Sequence, residues 1–175
     1  MLKSFPLALA ALVWPAGAMA HIVFAEPRAE AGSYHAGFLR VSHGCGDSPT
    51  VALRVEIPAG VLTARPQPKP GWMVAIETAP LPRPVAGEGG RPIATRVVAV
   101  TWSGLLPIDQ FDQFGLMLKL PAEAGPLYFP TVQRCRSGET RWTEIPPEPA
   151  RWHDLEHPAP MLVLTAPDAA AHHGH

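Results

Sequence analysis

Short stretches of the chain alternate apolar and polar positions. In residues 51–57 every second side chain is a branched aliphatic, while Ala52, Arg54 and Glu56 occupy the other face. A period of two is typical of a strand with one buried face. The other segments with strand-like composition are 21–26, 33–42, 71–77, 96–102, 114–120, 127–134, 141–145 and 161–165. Eight or nine short strands are therefore predicted, with no amphipathic helix.

The segments between these strands are rich in proline and glycine. The chain contains 22 Pro and 15 Gly, and Pro inside a helix costs about 3 kcal/mol, so a helical bundle is improbable. Residues 27–32 are predicted to be a connector, 43–49 a turn cluster, and 108–111 a helical turn or a loop. Residues 79–92 lack an apolar period and predict a long exposed hairpin loop. The pattern as a whole predicts an all-β protein, an immunoglobulin-like antiparallel sandwich.

The first twenty residues have the features of a secretory signal. Lys3 is followed by a short apolar run, and Ala18, Met19 and Ala20 form an A-x-A cleavage site. The apolar run is too short for a typical spanning helix, although an uncleaved anchor is the alternative. We expect residues 1–20 to be removed, 21–167 to form one domain, and 168–175 to be a flexible tail. The mature protein would be periplasmic or secreted.

Composition narrows the classes of partner. Fourteen Lys and Arg balance fifteen Asp and Glu, so no basic surplus is available for phosphate backbones and nucleic acid is not an expected partner. Cys45 and Cys135 are the two cysteines. In an oxidising compartment two cysteines normally pair, so a Cys45–Cys135 disulfide is predicted. A pair of Cu(I) thiolate ligands is the alternative.

Cleavage after Ala20 would make His21 the first residue. A free α-amine has a pKa of about 7.7–8.0 and can lose its proton to a metal at modest cost. The amine and the imidazole Nδ1 of one residue can then chelate one ion, and sites with several nitrogen donors suit Cu(II). Position alone is also compatible with an ordinary surface histidine.

Three segments of the mature chain resemble the YcnI-like family of secreted copper-binding domains. They are HIVFAEPRAEAGSYHAGFLRVSHGCGDSPTVALRVEIPAGV, PGWMVAIE and RCRSGETRWTEIP. The resemblance implies an immunoglobulin-like or cupredoxin-like sandwich that holds Cu(II) with its amino-terminal histidine beside a tryptophan. These positions correspond to His21 and Trp142. Some members also use a Glu near the metal, which does not align securely here, and His43 of the H-G-C segment is the candidate in its place.

Two further residues are candidate ligands. His43 lies two residues before Cys45, where a disulfide would fix the local backbone, but it could equally be a turn residue hydrogen-bonded to a carbonyl. Glu144 lies two residues after Trp142, so on a continuous strand both side chains would share one face.

Other polar residues are weaker candidates for metal binding. His35 lies within a predicted strand, and Glu26 and Glu30 are more readily explained as solvated charges. The dense group His153, Asp154, Glu156 and His157 predicts a solvated loop rather than a site. The tail residues His172, His173 and His175 could load metal weakly.

The function expected from these features is that of a non-enzymatic periplasmic Cu(II)-binding protein, acting as copper carrier, buffer or metallochaperone. Its expected partners are the copper ion and, through the resemblance, a membrane copper-transport protein or another periplasmic copper carrier. Two alternatives stay open. One is a copper-dependent oxidative enzyme, in which a second histidine, His35 or His43, completes a histidine brace. The other is a metal-free adhesion or assembly domain.

Overall fold

A computed structural model describes residues 21–167; the predicted signal and the predicted tail, with His172, His173 and His175, lie outside them. Within this range the chain forms twelve strands and two short 3₁₀ helices, Glu88–Gly90 and Pro149–Asp154. The strands are β1 Val23–Phe24, β2 Arg28–Glu30, β3 Tyr34–Val41, β4 Thr50–Glu56, β5 Thr63–Pro66, β6 Met73–Ala86, β7 Pro92–Leu106, β8 Asp112–Lys119, β9 Gly125–Tyr128, β10 Thr131–Cys135, β11 Glu139–Trp142 and β12 Met161–Thr165.

The strands form three sheets. Their orders are β1-β3-β8-β5, β11-β10-β4-β7-β6 and β2-β12-β9. Among these strands every pairing is antiparallel except that of β2 with β12, which run parallel. The predicted all-β, antiparallel architecture is confirmed, and residues 108–111 form a turn rather than a helix.

Apolar side chains from the two larger sheets pack between them. Trp102 of β7 contacts Phe114 of β8 edge-on, with ring centroids 5.5 Å apart. The alternating residues Leu53 and Val55 of β4 are both 0% exposed, as the period of two predicts. A buried aliphatic side chain of this size contributes about 1.5–3 kcal/mol relative to leaving it exposed. The alternation along the chain therefore specifies which face of each strand enters the core.

Two sequence expectations about connecting segments are wrong. Residues 79–92 are a hairpin, but not a long loop: β6 and β7 continue through most of it and only Gly87–Arg91 turns the chain. The arms are largely exposed, so pairing continues there without a buried face that would impose alternation. Residues 27–32, expected as a connector, contain β2, whose main chain pairs with β12.

The predicted disulfide between Cys45 and Cys135 is confirmed, with the Cα atoms 6.0 Å apart. It ties the turn after β3 to the end of β10, and Cys135 pairs with Thr50 of β4 in the five-stranded sheet. His43, two residues before Cys45, is thereby held close to that sheet. No helix within residues 21–167 is long and apolar enough to cross a membrane.

Candidate metal site

His21 lies where the edges of two sheets approach each other. It precedes β1, the edge strand of the four-stranded sheet, and it contacts Trp142 at the end of β11, the edge strand of the five-stranded sheet. The two ring centroids are 5.9 Å apart. Trp152, on the 3₁₀ helix Pro149–Asp154, contacts His21 from another side at 5.3 Å, with the rings perpendicular. Both indoles are buried, so His21 stands at the rim of an aromatic pocket.

Three more histidines surround these indoles. His43 and His157 contact Trp142, with ring centroids 6.0 Å and 5.2 Å apart, and His153 contacts Trp152 at 5.0 Å. His21, His43, His153 and His157, with Trp142 and Trp152, are called the histidine–tryptophan cluster below. The structure thus brings together two of the predicted site residues, His21 and Trp142, with the predicted candidate His43.

Each indole is oriented by one hydrogen bond. Trp142 Nε1 donates to Gln133 Oε1 at 3.0 Å, and Trp152 Nε1 donates to the Ala159 carbonyl at 2.7 Å. Gln133 is itself fully buried, and its Nε2 donates to the His43 carbonyl at 2.6 Å and to Thr50 Oγ1 at 2.8 Å. One side chain on β10 therefore fixes both the Trp142 ring and the main chain at His43.

Glu144 does not share a face with Trp142, although its position two residues further along the chain suggests that it would. β11 ends at Trp142, so the period of two does not extend to Glu144, which is exposed whereas Trp142 is buried. Its carboxylate accepts a hydrogen bond from the His157 main-chain N–H at 2.7 Å, and its own N–H donates to the His157 carbonyl. Glu144 thus holds the segment that carries His157.

The electrostatic environment of His21 favours a neutral ring. Burial lowers the pKa of its imidazole, and electrostatic repulsion from the nearby imidazoles of His153, His157 and His43 lowers it further. Its Nε2 is buried and has no hydrogen-bond partner among the described residues. A neutral imidazole is the form that binds metal.

The ring of His43 is held in one tautomer. Its Nδ1 lies 2.6 Å from the Gly44 carbonyl, and because a carbonyl only accepts, Nδ1 carries the proton. In the neutral ring the lone pair is then on Nε2. A hydrogen bond from the other ring nitrogen to a carbonyl is the usual way in which a protein orients a ligating histidine.

Three weaker candidates lie outside the cluster. Val23 pairs with Arg40, so His21 approaches the C-terminal end of β3, whereas His35 lies near its N-terminal end. At about 3.3 Å per residue, this is a separation of roughly 20 Å. Burial lowers the pKa of His35, and Glu26 lies close enough to offset part of this effect. Glu30 is on β2, paired with Thr165.

Sequence reasoning missed the contribution of the segment after β11. The group His153, Asp154, Glu156 and His157 was expected to be a solvated loop, yet the segment contains a 3₁₀ helix with a buried Trp152, and two of its histidines contact the cluster. The one available signal was the dipeptide Trp152-His153 followed by His157, since a large aromatic in a polar, Pro-rich segment needs a burial site.

Side chains alone do not form a complete metal site. Within residues 21–167, no group of three or more His, Cys, Asp or Glu side chains has a geometry that could hold a metal ion. The nitrogen donors that the cluster presents are imidazoles spread around two indoles. A main-chain nitrogen donor would add to the ligands that these side chains offer.

The fold and this cluster define a class: a β-sandwich domain with a histidine-rich aromatic pocket between two sheet edges. The chain belongs to the family described as "Domain of unknown function (DUF1775)", whose model matches residues 21–164. It is similar to an uncharacterized protein from Nocardia farcinica whose crystal structure reveals an immunoglobulin-like fold, at 28% identity and a TM-score of 0.61. That match covers 82% of this chain and 97% of the other, and it confirms the immunoglobulin-like prediction. No curated protein matches the chain.

Proposed function

We propose that the protein is an exported, non-enzymatic Cu(II)-binding protein that carries or buffers copper, with the processed amino terminus at His21 as its principal ligand. The observation that supports the proposal most is the position of His21. The one histidine that follows an A-x-A cleavage signal is also the one around which two indoles and three other imidazoles gather.

The donor chemistry fits this proposal. After cleavage at Ala20, the α-amine and Nδ1 of His21 would supply two nitrogen donors from one residue. The amine would thus add a donor to those that the side chains of the cluster provide. His43, with its lone pair on Nε2, is the proposed third donor. The resemblance to YcnI-like copper-binding domains supports the same assignment of His21 and Trp142.

The surroundings of His21 would set how copper is held. Trp142 and Trp152 would limit the access of water to the ion, and an indole face attracts a desolvated cation by about 2 kcal/mol. His153, which is exposed, and His157, which is partly buried, would offer temporary nitrogen ligands on the path between solvent and His21. This arrangement suits a cargo ion that must be both held and released.

The test is calorimetric titration of the processed, metal-free protein with Cu(II). We expect one tight site, and we expect acetylation of the His21 α-amine to abolish it, because the amine would become an amide that no longer chelates copper together with Nδ1. His35→Gln, which removes a distant histidine, is the matched control and should bind normally. Unchanged affinity in the acetylated protein would overturn the proposal.

A second measurement on the same samples distinguishes a copper carrier from an oxidative copper enzyme. With ascorbate and oxygen, a carrier should yield no more hydrogen peroxide than the same amount of copper bound to a histidine-containing peptide. Peroxide production that is faster and depends on His21 would favour the enzyme.

A further inference from the structure

A cleft of about 540 Å³ lies beside the histidine–tryptophan cluster. Trp152 and His153, which belong to the cluster, also line this cleft. The volume is within the range of about 300–1,000 Å³ that ligand sites occupy. The cleft is thus large enough to receive several side chains, immediately next to the candidate metal site.

One wall of the cleft is the main-chain edge of β1. Val23, Phe24 and Ala25 all line it, although successive side chains of a strand point to opposite faces. Phe24 is 2% exposed, with its ring packed against Phe129 at 4.9 Å, so its main chain is the part that reaches the cleft.

The register of β1 gives the direction of these main-chain groups. The Ala25 N–H donates to Phe38 of β3, and Phe24 is opposite Leu39. Hydrogen-bonded and non-hydrogen-bonded pairs alternate along an antiparallel ladder, so the Phe24 N–H and C=O point away from β3, towards the cleft. β1 is the edge strand of its sheet, and no described strand pairs with that side.

The floor of the cleft is apolar. Met161 and Val163 line it from β12, while their neighbours Leu162 and Leu164 are buried on the opposite face. Residues two apart on a strand share a face, so these two side chains form a continuous apolar strip. An extended chain with apolar residues at alternate positions is the complement of such a strip.

The rim of the cleft is positively charged. Arg28 and Arg40 line it, and no Asp or Glu is among the lining residues. Both arginines are exposed, and neither takes part in any ion pair found within residues 21–167. Arg40 lies opposite Val23 in the β1–β3 ladder, and Arg28 lies opposite Val163 in the β2–β12 ladder. The two charges therefore flank the apolar strip and the open strand edge.

We propose that this cleft docks an extended segment of a partner protein, in which acidic and apolar residues alternate, by adding it as a strand to the outer edge of β1. The main chain of the segment would pair with Phe24, its acidic side chains would meet Arg28 and Arg40, and its apolar side chains would pack on Met161 and Val163. Strand addition to a sheet edge is a common mode of peptide recognition. The proposal goes beyond copper binding and does not depend on it.

The test uses the processed, metal-free protein and terminally blocked heptapeptides in which valine alternates with glutamate or, in a second peptide, with lysine. Binding is followed by amide chemical shifts. We expect the glutamate peptide to shift residues 23–25 and the amides of Arg28, Arg40 and Val163, and the lysine peptide to leave them unchanged. Equal binding of both peptides, or shifts confined to other surfaces, would overturn the proposal.

Variants separate the contributions of charge and main chain. Arg28→Gln with Arg40→Gln should raise the dissociation constant about three- to tenfold, the range expected for two exposed ion pairs, whereas Arg83→Gln, an exposed arginine on β6, should not change it. An added strand pairs with β1 through the main-chain N–H groups of every second residue. N-methylation of those residues of the glutamate peptide should therefore weaken its binding, and N-methylation of the residues between them should not.

Two other outcomes would contradict a partner segment. Equal affinity for N-acetylglutamate would make the cleft a site for small carboxylates. Concentration-dependent dimerisation that the peptide competes with would make β1 an interface between two copies. Copper titration of the Arg28→Gln, Arg40→Gln variant keeps the two proposals apart, because its copper affinity should be unchanged.

Discussion

Gln133 holds Trp142 in place: the indole Nε1 donates to the amide oxygen of Gln133 at 3.0 Å, inside the protein. The other end of the amide binds the His43 carbonyl and Thr50 Oγ1. A glutamine that is 0% exposed, and whose amide oxygen and nitrogen are both hydrogen-bonded, therefore links β10, β11 and the turn after β3. It positions a proposed copper-shielding ring and a proposed ligand together.

Gln133→Leu should test this link. The substitution removes the acceptor of the Trp142 N–H and the donor to the His43 carbonyl and to Thr50 Oγ1, and a buried polar group left unsatisfied costs about 1–3 kcal/mol. We expect urea-induced unfolding to show a loss of about 2–4 kcal/mol and the proposed copper affinity to fall. Gln113→Leu, at a partly buried position on β8 outside this network, is the control. A Gln133→Leu protein as stable as the control would show that the network contributes little.

Removal of the disulfide should destabilise the domain and loosen the site. The Cys45–Cys135 bridge has a sequence separation of 90, and removing a native disulfide from a small secreted domain typically costs about 2–5 kcal/mol. We expect the double variant Cys45→Ala, Cys135→Ala to unfold at lower urea concentration by that amount. Wild-type protein that has been reduced should unfold in the same way, and a difference between the two would point to an effect of the substitutions themselves.

The sequence predicts the strands that bury one face. It does not predict the exposed parts of strands, which pair through the main chain without entering the core. The expected strand 161–165 coincides with β12, and 51–57 differs from β4 by one residue at each end. In 51–57 the alternation reports which side chains leave water, whereas 161–165 is marked by a continuous apolar run between prolines. The outer parts of β6 and β7 have no such pattern, since their pairing is stabilised by main-chain hydrogen bonds, and prolines there resemble loop signals.

Only the part of the candidate site that local sequence marks could be predicted. His21 follows from the cleavage signal and Trp142 from the resemblance, because both are marked by local sequence. Trp152 and His157 reach the cluster through a 3₁₀ helix and through the contact between Glu144 and the His157 main chain. Such tertiary contacts have no period in the sequence, so the approach of this segment to His21 could not be predicted.

Tryptophan fluorescence should report copper at the cluster. Cu(II) quenches nearby indoles, and His21 contacts Trp142 and Trp152, while Trp72 contacts Phe114 elsewhere in the fold. We expect one equivalent of Cu(II) to quench the processed protein strongly. Trp142→Phe and Trp152→Phe should each reduce the quenched signal, and Trp72→Phe should not. Equal effects in all three variants would contradict copper binding at His21.

His35 should make the metal-free fold less stable in mild acid. Burial lowers the pKa of its imidazole below the ordinary 6.5, and its Nε2 is buried without a hydrogen-bond partner among the described residues. Below pH 6.5 the unfolded chain takes up a proton at this residue more readily than the folded chain, so the free energy of unfolding falls as the pH drops from 7 towards 5. His35→Gln should flatten this dependence, as measured by urea unfolding at each pH.

Substitution of Glu26 tests whether the pKa of His35 causes the loss of stability in mild acid. Its negative charge raises the pKa of His35 and so partly offsets the effect of burial. Glu26→Gln should lower that pKa further and widen the pH range over which the unfolded chain binds the extra proton. The loss of stability between pH 7 and pH 5 should therefore be larger than in the wild type. Glu123→Gln, an exposed carboxylate in the turn between β8 and β9, should leave the loss unchanged, and a smaller loss in Glu26→Gln would show that His35 is not the responsible group.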